Sequence, residues 1–135
     1  METSATSVMT WDAWAPQPFS EAEGGPALFR GSVVNHYRGD VDGRGTLECL
    51  ISIGTDGTSG FTGLERVEGR IGDRKGSFVL RIEGATAAGR AEAALTVVPG
   101  SGTGELAGVA GGGRYVCENP GPDGHSDVEL DLTFG

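Results

Sequence analysis

A chain of 135 residues suits one domain around one core. Its 25 glycines follow no three-residue repeat, which excludes a collagen-like chain; its net charge of -9, with no basic stripe, argues against nucleic acid and anionic membranes as partners. No apolar run approaches the roughly 18 residues that span a bilayer, and METSATSVMTWDAW has no basic segment leading into an apolar one, so a cytoplasmic protein with reduced Cys49 and Cys117 is expected.

Glycine falls where extended runs should turn, which is strand punctuation. Ser4–Ala15 is the first expected strand. Trp11 and Trp14, three residues apart, take different faces, one in the core and one at the rim or exposed. Pro16 and Pro18 end the run, and PQPFSEAEGGP reads as a polar loop of the kind that lies at a barrel mouth, with Phe19–Glu23 as the sole helical candidate. Ala27–Tyr37 is the second strand, with Phe29, Gly31, Val33, Asn35 and Tyr37 on its more apolar face. RGDVDGRG reads as a turn; Asp40 and Asp42 lack the later ligands of a calcium loop.

Thr46–Ile53 is the third strand, with Leu47, Cys49, Ile51 and Ile53 on one face, and GTDGTSG is a hairpin turn. Phe61–Arg70 is the fourth. Ser77–Gly84 is the fifth, with Phe78, Leu80 and Ile82 inward. Arg90–Val98 is the sixth, where Ala91, Ala93, Leu95 and Val97 share a face whose small residues leave room inside. Thr103–Val109 and Arg114–Glu118 are two further short strands, NPGPDGHS is a turn, and Val128, Leu130, Leu132 and Phe134 alternate through the last strand. Eight or nine short strands without a helix period describe an all-β chain, an antiparallel sandwich or barrel. Val34, Leu50, Val79 and Val98 fall on outward faces, where a homodimer contact is plausible.

Chemistry is sparse. PGSGTGELAG lacks the Lys-Ser/Thr pair of a phosphate loop and the helix that a dinucleotide site needs, so it reads as a tight bulged turn; no cofactor is expected. The two histidines and two cysteines have no ligand spacing, so no metal is expected. Cys49 and Cys117 read as core thiols, and His36 and His125 as solvated. Glu105, beside the glycine turn, suits bonding to backbone amides.

Glu65 stands apart. It shares a face with Phe61, Gly63 and Val67, so it points inward if they do. A carboxyl in an apolar interior gains proton affinity, which suits a general acid or base. The other reading is an internal anchor bonded to Asn35, Tyr37, Arg66 or backbone, and it ranks ahead of the catalytic one; a bulge that turns Glu65 outward is a third. Asn35, Tyr37 and Tyr115 join it in a polar cluster on the same phase logic.

The run GFTGLERVEGRIGDRKGSFVL followed by VVPGSGTGELAG resembles the bacterial domain of unknown function 3224 family, over about Trp11–Phe134. The resemblance implies a single antiparallel up-and-down β-barrel of about eight strands, of the allene oxide cyclase type, over residues 1–135. Where the family pattern carries Tyr, His, Trp and Tyr inward, this chain has Ile53, Ile82, Leu95 and Leu132, which implies a more aliphatic interior. An apolar small molecule is the implied partner, lined by Asn35, Cys49, Ile53, Phe61, Phe78, Leu80, Ile82, Leu95, Tyr115 and Leu132, with Glu65 and Tyr37 as the candidate catalytic pair. Three functions follow as alternatives: a cofactor-free cyclase or isomerase of a fatty-acid- or polyketide-type intermediate, a ligand carrier without chemistry, and a filled barrel that acts through oligomer contacts.

Overall fold

The computed structural model describes residues 2–12, 15–118 and 124–135. Alternation of apolar and polar residues sets nine strands: β1 (Glu2–Trp11), β2 (Gln17–Ser20), β3 (Ala27–Gly39), β4 (Val41–Ile53), β5 (Ser59–Ile71), β6 (Arg74–Ala87), β7 (Arg90–Val97), β8 (Val109–Cys117) and β9 (Ser126–Phe134). All their pairings are antiparallel, and β1 pairs with both β9 and β3, so eight strands close a barrel while β2 extends the wall beside β3. One row of partners can be followed once round the wall, from Leu28 through Ser52, Gly60, Ala85, Glu92, Val116, Asp127 and Val8. It arrives at Arg38, ten residues further along β3. That stagger tilts the strands and widens the barrel to the size that holds packed side chains or one small ligand.

The inner faces form one core. Phe78, Leu80, Ile82, Leu95, Leu130 and Leu132 are at most 3% exposed. One end of the barrel is plugged by a single 3-10 turn, Gly104–Leu106, whose Leu106 is fully buried. The loop is tied to β6: the Thr103 amide donates to the Ser77 carbonyl (2.9 Å), the Ser77 amide to Thr103 Oγ1 (3.0 Å) and the Lys75 amide to Glu105 Oε1 (3.1 Å). Glu105 thus serves backbone amides, as expected, and the glycine-rich loop is a stopper. The other end carries the β4–β5 and β6–β7 turns and the entry into β3; it is called the wide end below.

Several expectations are corrected. Gln17–Ser20 is a strand and Phe19–Glu23 holds no helix; with all four residues exposed, β2 has no hydrophobic alternation to betray it. RGDVDGRG is mostly strand. Val41, 1% exposed, resumes the inner face of β4 immediately after the turn at Asp40. Asp40 pins that turn to β1, its amide donating to the Thr6 carbonyl (3.0 Å) and its Oδ2 accepting the Thr6 amide (2.9 Å). Thr103–Gly108 holds the stopper, not a strand, Val109 opens β8, and Arg114–Cys117 belongs to that longer strand, with Glu118 just past its end. The Gly111–Gly113 run conceals the start of β8: a methyl group on any of the three would run into a carbonyl of β9 or β7, so the strands approach this closely only because side chains are absent. Trp14 and most of the NPGPDGHS turn, residues 119–123, lie outside the described residues. Of the outward apolar residues, Leu50 is 48% exposed while Val34, Val79 and Val98 are half-buried.

Candidate functional site

Asn35 and Tyr37 alternate inward on β3, and Glu65 points inward from β5. Strand β4 runs between them. There it presents Gly43 opposite Tyr37 and Gly45 opposite Asn35, so the wall carries no side chain across the gap. The Glu65 carboxylate lies directly over Gly45, where an added methyl would overlap it. Through this opening the Tyr37 hydroxyl donates to Glu65 Oε1 (2.8 Å) and Oε2 (2.9 Å), and Asn35 Nδ2 donates to Oε2 (2.9 Å). Glu65 is 1% exposed, Asn35 3% and Tyr37 4%. No buried side-chain nitrogen or oxygen among the described residues lacks a partner, so the cluster is fully satisfied.

Burial pushes the Glu65 carboxyl above its ordinary range, against the pull of the Asn35 and Tyr37 hydrogen bonds in the opposite direction. Burial, and then the negative charge of Glu65, hold the Tyr37 phenol well above its usual value. Tyr37 therefore keeps its proton and the carboxylate accepts. A carboxyl with raised proton affinity in the fold is most favourable below its unfolded pKa of 4.5, and its contribution falls as pH rises through the folded value. Thermal melts of wild type and Glu65→Gln across that window should show a decline with rising pH in wild type that the variant lacks. Parallel curves would mean that Glu65 titrates as it does in the unfolded chain.

Above this cluster, four aromatic side chains line the wide end: Trp11 from β1, Phe29 from β3, Phe61 from β5 and Tyr115 from β8. Each lies on an inner face, packs against the core and keeps part of its surface exposed. The ring of Phe61 covers Gly84. Burial raises the Tyr115 phenol, with further contributions from the charges of Glu65, Cys49 and Cys117. Cys49 and Cys117 are buried free thiols, and burial pushes Cys49 up before the charge of Glu48 adds to it.

The structure thus brings together Glu65, Tyr37 and Asn35 as one bonded unit, with Tyr115, Phe61 and Cys49 beside or above it. It places Phe78, Leu80, Ile82, Leu95 and Leu132 in the buried core. Ile53, at the end of β4, is 38% exposed at the mouth. His36 stands outside, its Nε2 3.0 Å from Asp12 Oδ1, and His125 is exposed near Asp127. Three contributors were not assigned to the site from sequence: Gly45, and Trp11 and Phe29, whose faces alone were read. Glycine inside an apolar run signals a close approach, and an aromatic residue at the end of an inward phase signals a rim. On the outer wall an open groove of about 380 Å³ runs between Arg30, Leu50, Leu64 and Arg81.

These features describe a small closed barrel with an internal carboxylate and an aromatic mouth. The chain belongs to the family described as protein of unknown function (DUF3224), which matches residues 5–132. Its structure is similar to the crystal structure of a protein with unknown function from the same family from Shewanella oneidensis MR-1: 27% identity, TM-score 0.76, covering 100% of this chain and 98% of the other. A pyocyanin demethylase aligns over 97% of this chain and 100% of its own, at 14% identity and a TM-score of 0.40, too low a likeness to bear on function. No curated protein matches the chain.

Proposed function

We propose that this protein binds an apolar small molecule in the wide end of its barrel and acts as a carrier. The observation that supports this reading is the set of inward aromatic residues that stay partly exposed at one end, over a core that is otherwise closed. Concave, largely apolar sites with a few polar groups are the usual form of a small-molecule site. Glu65, with both oxygens bonded and almost no exposure, acts as the anchor that holds β3 and β5 in position beneath it.

A second reading makes the barrel a cofactor-free cyclase or isomerase, with Glu65 as general acid or base and Tyr37 as its donor. The raised proton affinity of Glu65 favours it, because a carboxyl that holds its proton more tightly suits a general acid. Native mass spectrometry of protein purified from its own host tests both. The carrier reading expects a retained small molecule, chemically the same in wild type and Glu65→Gln. A retained molecule that differs between the two supports the enzyme. A bare mass for both proteins, with no thermal shift from a panel of apolar ligands, removes both readings.

A further inference from the structure

The wide end has a charge as well as an aromatic lining. Glu65 is the one charged side chain among the buried residues described, and it lies beneath Trp11, Phe29, Phe61 and Tyr115. Around the rim stand carboxylates at positions 12, 21, 23, 56, 92 and 118, all exposed, against Arg30 and Arg90. Arg90 is spent on that acidity: it lies 3.0 Å from Glu92 and 3.1 Å from Glu118. The cations Arg38, Arg44, Arg70, Arg74 and Lys75 gather toward the plugged end, where Asp40, Asp42, Glu68, Asp73 and Glu105 balance them, on the β3–β4 and β5–β6 hairpins and the plug. The net charge of -9 is therefore weighted toward the mouth.

These features act in the same direction. Aromatic faces carry a negative quadrupole that attracts cations, most strongly where water is displaced. A buried carboxylate in a low-dielectric interior adds a field that reaches the mouth, and an acidic rim raises the local concentration of cations. Both Glu65 oxygens are already bonded to Tyr37 and Asn35, so Glu65 works through its field and offers no free ligand. A metal ion or a compact hydrated ammonium, which needs oxygen donors, gains little there. A cation with its charge spread over carbon needs none.

We propose that the wide end selects an organic cation of diffuse charge, a quaternary ammonium or an N-alkylated heteroaromatic ring, seated on the aromatic faces above Glu65. This rests on the binding reading above and names the ligand class.

Calorimetric titration with N-methylquinolinium and with quinoline at pH 8 tests it, since the two share a ring system and differ in charge. The cation should bind about ten-fold more tightly, the scale of a desolvated cation–aromatic contact. Glu65→Gln should narrow that gap by weakening the cation more than quinoline. Trp11→Leu, at the partly exposed rim, should narrow it too and serves if the Gln variant fails to fold. Equal affinities for the two probes overturn the cation proposal and leave the binding reading standing. So does the absence of binding by either probe when host-purified protein carries a neutral apolar molecule. If neither probe binds and the host protein carries nothing, both readings fall.

Discussion

Glu65→Ala should lower the stability of the fold by about 3–5 kcal/mol, from two buried donors left without an acceptor at about 1–3 kcal/mol each together with the cavity left behind. The loss has two sources. The Tyr37 hydroxyl and the Asn35 amide are left in an apolar interior without their acceptor, and the missing side chain leaves a void over Gly45. Glu65→Gln keeps the shape and one acceptor, so it should cost less, about 1–2 kcal/mol. Urea denaturation of the three proteins at one pH gives the comparison. An alanine variant within about 0.5 kcal/mol of wild type, the usual range of a neutral surface change, would mean that the cluster does not hold the barrel. Glu65 would then need a different reason to be buried.

Gly45→Ala is the second change expected to have a large effect. The new methyl group meets the Glu65 carboxylate, which is pinned by two donors, the Tyr37 hydroxyl and the Asn35 amide, and cannot swing aside without losing them. Overpacking of this kind costs about 1–3 kcal/mol, to which the broken hydrogen bonds add. A double-mutant cycle isolates the cause. If the clash with Glu65 is the source, alanine at position 45 should cost far less in a Glu65→Ala background than in wild type. An unchanged cost would place the strain in the backbone of β4 instead.

Those two residues also show what could be read in advance. Glu65 was legible because Phe61 and Val67 flank it on one phase, and a strand fixes which side chains share a face. The same logic placed Asn35 and Tyr37 beside it. Gly45 was not legible: it sits in RGDVDGRG, whose composition is that of a turn, and only the tight reversal at Asp40 turns the rest into strand. Polar composition and glycine content report exposure and backbone freedom, not hydrogen-bonded pairing. For the same reason β2, exposed at every position, passed for loop, and the glycines of β8 passed for a break. The outer groove is not legible in sequence because it needs Leu64 beside Leu50, a diagonal neighbour across β4 and β5 that only the strand register brings together.

Closure of the wall through β1 has a consequence for how the protein is made. Every pairing except those of β1 joins strands that follow one another in sequence, so hairpins from β2 onward can assemble as each emerges from the ribosome. The seam between β1 and β9 links Glu2 with Thr133 and Met9 with Ser126, and it stays open until residues 126–134 have been synthesised. Until then the growing sheet exposes an unpaired β1 edge, its most vulnerable state toward other nascent chains. The last nine-residue strand is therefore the one whose arrival turns a sticky sheet into a sealed barrel.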